Sequence, residues 1–586
     1  MSFYTFRLSY HAWILYLLIS QGESTEEPRG ILQMLGISYA SCRLPSDFPS
    51  TIHLKREVIK DPDRKLPDKL LWKAFPKSSS QIVLLTNWAM NSDFNLLSVE
   101  LLSAMSSMSS RFWGEKLTRD GNCTRTLLVD ATKHLTKMQM VNANLVTVET
   151  GVMMLDLLAF LEKNGHGLPI APIPGQKVLT VGEAIAIGAY GIGVNNHKEK
   201  ASNPFGTVSN LVMSFKTVAW DRTLEVYSLK KFDRPDPRSL AFLTNLGRSF
   251  LTQVTLLVQP RYHLRCQTFS EFPSENLYAN PNSSFYMIEE SFAYLVEQFG
   301  KVEVTYFPYV DRSWVKVWSK ETKRPMGSLK VNTKYLSGAS SPIINMASAV
   351  VSKLVYMFPS FSPLFSRFMF DIEVVRMRLS GANDIWGTSH DTFFTFTNDT
   401  ESYKSKGYVV LTTRADIQQV VYDFYEQFSL LRDQFKQKRK YPTTRPLKIR
   451  ISSLDSPSSV KENGSPLVPP ALSVLSPVKN HPEFEVGVVF EMEFLPGDES
   501  GVEFVEELEP WMYATFQGDY GLLRPLWSIR TEWAHESGSF KGHEGTFKQL
   551  IKHSYGPAWN TAIRVLDFYD PHGVFNSPFF ESFSKA

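Results

Sequence analysis

Five glycines fall between Gly175 and Gly193, in the run P-G-Q-K-V-L-T-V-G-E-A-I-A-I-G-A-Y-G-I-G-V at 174–194. Glycine reaches backbone angles closed to other residues and lets a ligand touch the main chain. Small residues between them (Ala184, Ala186, Ala189) leave room for a helix to pack closely on a flat ring. The spacing Gly188-x-x-Gly191-x-Gly193 is not the G-x-G-x-x-G turn of a dinucleotide-binding βαβ unit. By themselves these glycines also fit a turn in any α+β protein. A second chemical candidate is Glu303 in V-E-V-T-Y-F (302–307), where Glu303, Thr305 and Phe307 alternate with Val302, Val304 and Tyr306 as in a strand. A carboxylate there is either an exposed strand residue or a proton acceptor.

The elements that must hold these residues belong to a long folded chain. Its 586 residues leave room for two or more domains. Sixty-two basic side chains stand against 59 acidic ones, a balance that gives no argument for nucleic acid as partner. The three cysteines, Cys42, Cys123 and Cys266, have no metal-ligand spacing, so neither a metal site nor a disulfide framework is expected. Four N-x-S/T triplets, at Asn122, Asn282, Asn398 and Asn463, matter only in a secretory compartment. The apolar run Ala12 to Ile19 after Arg7 has the length of a signal-peptide core and is too short to span a bilayer, so no stable membrane insertion is expected. It is equally a disordered leader, and the compartment stays open.

The order of the pieces resembles the flavin-binding half of the vanillyl-alcohol-oxidase family. There P-x-P-G leads to T-x-G-G-x-x-A-x-G-x-x-G, then a loop, then Y-G-S-x-S-D-x-V and a strand. Here Pro174 and Gly175 lead to Thr180, Gly182, Gly188, Gly191 and Gly193, then to F-G-T-V-S-N-L-V at 205–212. From about Leu66 to Phe580 the chain is similar to the type II cholesterol oxidases of that family. The resemblance implies an α+β fold: a two-part FAD-binding PCMH-type domain and a mixed-sheet substrate domain covered by helices. It divides the chain into a leader and linker (1–65), the flavin part (66–260), the substrate part (261–515) and a C-terminal return (516–586). The closing D-P-H-G-V-F (570–575) matches that return.

For function, the resemblance implies oxidation of an alcohol, such as a sterol-like secondary alcohol, by FAD, with dioxygen reoxidising the flavin and giving hydrogen peroxide. Pro174, Gly175, Thr180, Gly182, Gly188, Gly191, Gly193, Gly206, Ser209 and Leu211 match its cofactor-binding positions. Glu303 matches an active-site glutamate, and Arg450 in P-L-K-I-R a charge beside the ring. Asn383 and Trp386, in N-D-I-W-G (383–387), match the pocket floor or pin a turn. Three departures stand out. No R-G-x-x-H occurs in 93–122 and no histidine between Trp88 and Lys133, so covalent attachment through that loop is excluded and any FAD is noncovalent. Glu183 replaces a glycine, and Lys448 replaces the glutamate of a Glu-x-Arg pair. Either an exon is altered at 93–122, or the protein has lost covalent flavin and part of its phosphate cradle; the alternative to the oxidase is a non-catalytic relative that has lost FAD and serves as a binding or scaffold protein.

Local patterns complete the expectations. Order is expected from Leu71-Trp72 onward. Ser80 to Ala89 reads as a strand-helix step, and Leu97 to Met108 as helical. Met153 to Asn164, Ala415 to Arg439 and Gly501 to Phe516 read as helices, and Glu485 to Phe494 as a strand. Ala349 to Phe370 reads as a lid or as core helix, Ser452 to His481 as an irregular excursion, and Arg248 as a surface charge.

Overall fold

The computed structural model of the chain describes residues 39–41, 44–59, 69–98, 123–170, 172–175, 179–197, 199, 205–284, 287–331, 358–389, 391–392, 404–442, 445–456, 461–462, 465–494, 498–527 and 544–576. Helices and sheets are mixed throughout, the α+β class that the sequence predicts.

Two sheets form the first part. In one, Asn95–Ser98, Thr126–Val129, Lys69–Phe75, Tyr39–Ser41 and Cys123–Thr124 run parallel, and His53–Ile59 lies antiparallel on Lys69–Phe75. The other is antiparallel, in the order Val226–Asp233, Val212–Asp221, Phe250–Leu257, Leu145–Glu149, Met138–Asn142. The helix Ser79–Asn91 packs between them and buries Ile82, Leu85, Trp88 and Ala89, the side that its apolar spacing predicts.

The second part is one nine-stranded sheet. Its order is Leu329–Lys330, Asp384–Thr388, His263–Pro273, Arg312–Lys320, Lys301–Tyr306, Leu447–Ser453, Val486–Phe494, Lys404–Thr412, Gly521–Pro525. Side chains alternate between its faces. Val302, Val304, Tyr306, Ile449, Ile451, Val488 and Phe490 turn to one face and are fully buried there. The helices Phe292–Phe299, Ile417–Gln437 and Glu499–Thr515 cover that face; Phe424 stacks on Phe490 with ring centroids 3.9 Å apart. The opposite face carries the charged residues of the site.

Two clasps join the parts. Asp455, wholly buried just after Leu447–Ser453, accepts the N–H groups of Gly206 and Thr207 at 2.8 Å and the hydroxyls of Thr207 and Ser473 at 2.7 and 2.5 Å. At the C-terminus, Asp570 accepts the N–H groups of Val574 and Phe575 at 2.9 and 3.0 Å and the hydroxyl of Tyr227. Leu96 then donates its N–H to Val574 at 2.9 Å, so the D-P-H-G-V-F turn sits on the first sheet.

Several expectations change. Order begins before Leu71, because His53–Ile59 pairs residue by residue with Lys69–Phe75. Ser80–Ala89 is helix alone; its strand lies earlier, at Lys69–Phe75. Leu97 and Ser98 end a parallel strand rather than start a helix, since cross-strand pairing with Leu128 and Val129 overrides local propensity. Residues 99–122, which hold the rest of that expected helix and the altered loop, lie outside the described residues, as do the leader run at 12–19 and residues 349–357. Ser362–Ser380 is helical. The stretch after Ser453 is irregular but packed, with Leu472 and Leu475 fully buried. Arg248 is buried and donates to Asp567 at 2.7 Å, because the helix Pro557–Tyr569 folds back over it. Among the described residues no helix is long and apolar enough to cross a membrane.

The Asp455 clasp gives a stability test. Asp455→Ala leaves buried donors of Gly206, Thr207 and Ser473 unpaired and is expected to cost about 3 kcal/mol. Denaturant midpoints of the two proteins check it; an unchanged midpoint rejects the clasp.

Candidate active site

On the charged face of the large sheet, Glu303 stands between Lys316 on one neighbouring strand and Arg450 on the other, and it is directly paired with both by register. Lys316 Nζ lies 3.1 Å from Glu303 Oε1, and Arg450 Nε 2.6 Å from Glu303 Oε2. Arg450 also donates to Glu491 through Nη1, and that same nitrogen donates to the Tyr190 hydroxyl at 2.9 Å. Lys316, Glu303, Arg450 and Glu491 thus form a ladder of alternating charge across four strands, with Glu303 only 1% exposed. Burial alone would push the Glu303 pKa up. Lys316 and Arg450 outweigh it and hold the carboxyl well below its usual range. Burial also pushes the Tyr190 phenol up, to about 12, so it is protonated at neutral pH.

An apolar shelf adjoins the ladder on the same face. Trp314 and Trp318 flank Lys316 on its strand, and Phe307 and Phe370 pack on Trp314 with centroids 5.3 and 6.0 Å away. The helix Ser362–Ser380 closes the shelf from above with Phe370 and Met377. A polar end and an apolar body therefore lie side by side.

The glycine run connects this ladder to a cleft. Its first part is the short helix Val181–Ala186, whose Thr180 hydroxyl caps Glu183 N–H while Glu183 reaches back to Thr180 N–H at 3.3 Å. Glu183 thereby spends its carboxylate on the cap. Its last part lies against the edge-facing atoms of Leu447–Ser453. Gly193 N–H donates to the Ile451 carbonyl at 2.8 Å, and the Ser452 hydroxyl donates to the Gly191 carbonyl at 2.8 Å. Gly193 (φ +128°) and Gly188 (φ +64°) need glycine, and a Cβ on Gly193 would meet Lys301 Cγ at 2.4 Å.

A narrow cleft, about 50 Å³ in volume, opens between the two smaller sheets. Gly182, Ala186, Ala131 and Gly247 give it small walls, Ser98, Thr150, Thr180, Asn245 and Ser249 ring it with polar groups, and Phe575 and Leu96 close one side. Their hydroxyls and amides are the kind of donors and acceptors that a nucleotide's sugar and base would use. Glu183 is the charged residue among those lining it, so the described wall offers no cation to a diphosphate.

Comparison with known proteins agrees with this layout. The sequence model of the cholesterol oxidase, substrate-binding family matches residues 263–584, more than half of the chain. The chain belongs to that family. Among solved structures, a solvent-stable cholesterol oxidase matches with 28% identity and a TM-score of 0.81, over 92% of this chain and 100% of the other. A cholesterol oxidase from B. sterolicum matches with 27% identity and a TM-score of 0.81, over 92% and 99%. A glucooligosaccharide oxidase from Acremonium strictum, which carries a 6-S-cysteinyl, 8α-N1-histidyl FAD, shares the fold at 11% identity and a TM-score of 0.50, over 86% and 90%. No curated protein gives a significant match. The vanillyl-alcohol-oxidase resemblance and the cholesterol-oxidase likeness read from the sequence thus stand.

Within this cholesterol-oxidase-like frame the expected site residues separate. Glu303 and Arg450 come together. Thr180 and Gly182 line the cleft. Gly188, Gly191 and Gly193 lie between cleft and ladder, with N–H groups donated to Ile185, Gly206 and Ile451 carbonyls. Pro174 and Gly175 form a turn before the helix, with Gly175 at φ +76°. Gly206 belongs to the Asp455 clasp, Ser209 bonds to the Thr207 and Thr244 hydroxyls, and Leu211 is core. Asn383 is exposed and its carbonyl accepts Thr268 N–H at 2.8 Å, so it pins a turn. Trp386 shares a face with Arg265 and His263, on which it stacks, and that is the face opposite Glu303. Trp386 thus turns away from the ladder, because one residue of strand register sends a side chain to the other side.

Lys316, Glu491 and Tyr190 went unread in the sequence. A lone charge inside W-V-K-V-W (314–318) and paired acids in V-F-E-M-E-F (489–494) were the available signals.

Glu303→Gln leaves two buried cations short of a carboxylate and is expected to destabilise the protein by about 3–5 kcal/mol near neutral pH. A depressed carboxyl adds stability above its ordinary value of 4.5 and loses it as pH falls toward its folded value. Unfolding midpoints of wild type and variant should therefore converge as pH drops below about 4.5. Parallel midpoints throughout would refute the assignment.

Proposed function

We infer that the protein is an FAD-dependent oxidoreductase that converts an alcohol to a carbonyl. The observation that carries this is the buried ladder Lys316–Glu303–Arg450–Glu491, met by Tyr190 from the glycine run and flanked by the Trp314–Phe307 shelf. The relatives' printed names support a sterol alcohol, and the shelf suits a flat apolar body beside a hydroxyl. FAD, bound noncovalently, would be held by Thr150, Thr180, Asn245 and Ser249 around Gly182, Ala186 and Gly247. When bound, FAD supplies a two-electron acceptor for the hydride of the alcohol carbon and can pass the electrons to dioxygen, giving hydrogen peroxide.

The chain's own groups do the rest. Glu303, ionised, accepts a hydrogen bond from the alcohol hydroxyl and orients it. A carboxylate held this low is a poor proton acceptor near neutral pH. Taking the proton therefore requires Lys316 or Arg450 to loosen as the substrate enters. Arg450, with its charge fixed, stabilises negative charge that develops beside it.

A second reading, a relative that binds without catalysis, draws on the lack of a cation among the described residues lining the cleft and on the internally bonded N–H groups of the glycine run. Purified protein separates the two: absorption near ~450 nm supports the enzyme, and a colourless, folded protein supports the binder. In a yellow protein, Ala186→Leu should fill the cleft and lose the flavin while the fold persists. Retained flavin would move the cofactor elsewhere. Lys316→Met should raise the Glu303 pKa, so the acid limb of the alcohol-oxidation profile moves to higher pH, with the rate below that limb reduced about tenfold per pH unit moved. An unmoved limb removes Glu303 from proton transfer.

A further inference from the structure

Lys448 and Arg450 lie two residues apart on Leu447–Ser453, so both turn to the charged face. Register sets Lys448 opposite Glu491 and Arg450 opposite Val489 on the next strand. The ion pairs do not follow that register. Arg450 reaches diagonally to Glu491, and Lys448 reaches diagonally, in the same direction, to Glu493 at 2.5 Å. Glu493 is 2% exposed, and Arg445 Nε stands 3.7 Å from its other oxygen. Lys448 thus passes over the carboxylate directly across from it.

Two cations on one strand face, Arg450 buried and Lys448 partly so, compete for the nearer acid. Without a second acid beyond it, Lys448 would settle on Glu491, its register partner. Arg450 would then keep Glu303 as its carboxylate partner, and its guanidinium would shift toward Glu303 and Lys316. We propose that Glu493 is a positioning residue: by drawing Lys448 onto itself, it reserves Glu491 for Arg450 and so fixes the guanidinium between Glu303, Glu491 and Tyr190. Burial favours the neutral acid at Glu493, yet Lys448 and Arg445 hold its pKa below the ordinary value, so the anchor is charged at neutral pH. Its bearing on catalysis rests on the proposed function; the pairing itself does not.

The test uses the full-length protein and the variants E493Q, K448M and R450K, alone and combined. The first readout is urea unfolding, which needs no flavin. With Lys448 present, E493Q and R450K should couple, changing the unfolding constant on the order of tenfold beyond the product of the single effects. In the K448M background that coupling should fall to about one, because no competitor remains for Glu491. Equal coupling in both backgrounds, or none with Lys448 present, overturns the proposal. If E493Q does not fold, Glu493→Asp, charged but shorter, enters the same cycle.

The second readout is the pH profile of alcohol oxidation by flavin-loaded enzyme. E493Q should lower the acid limb by leaving the whole Arg450 charge to Glu303, and adding K448M should return it to the wild-type position. A shift that survives K448M overturns the proposal. A protein without flavin or activity fails the functional reading alone, and the unfolding cycle still decides the role of Glu493.

Discussion

Charges taken out of water must be matched, and this constraint shapes the large sheet. Glu303, Arg450, Lys316 and Glu491 are nearly inaccessible, each on a different strand. An isolated charge there would neutralise or unfold its surroundings. Alternating signs across adjacent strands remove that penalty only if register is exact to the residue, since a slip by one would exchange the charged and apolar faces. The stacked aromatic face beneath, with Phe424 against Phe490 and Tyr278 against Tyr425, fixes the register. The helices that look like mere cover therefore determine where the ladder stands.

The glycine run carries the site's second half. It begins at the cleft with a capped turn of helix and ends against the strand that bears Arg450, with Tyr190 touching the guanidinium. Its glycines serve close approach within the chain as much as approach to a ligand: Gly191 fits against Ile170 and Gly206 against Ser453 with no space for a Cβ. A cofactor spanning cleft and ladder would follow a path already drawn by this backbone.

The sequence made the fold class legible because the motifs keep their order along the chain, and it pointed to Glu303 and Arg450 only through the family resemblance, since strand alternation alone fits an exposed glutamate. The partners were hidden. Lys316 and Glu491 are distant in sequence and become neighbours only through register, which no local pattern specifies. Trp386 was misplaced for the same reason: its neighbour Ile385, not the tryptophan, turns to the site. Lys448 looked like a broken ion pair when read along its own strand; the missing negative charge stands on the next strand, at Glu493. Glu183 stood out only as a replaced glycine, although its T-x-x-E spacing from Thr180 is the signature of the capping box that it forms.

Phe575 lines the cleft, only eleven residues short of the last one, Ala586, and it is held there by Asp570 and Tyr227. The opposite walls come from Thr150, Gly182 and Gly247, synthesised hundreds of residues earlier. The cleft is therefore closed on that side only when the D-P-H-G-V-F turn docks on the first sheet, so its completion depends on contacts between segments hundreds of residues apart.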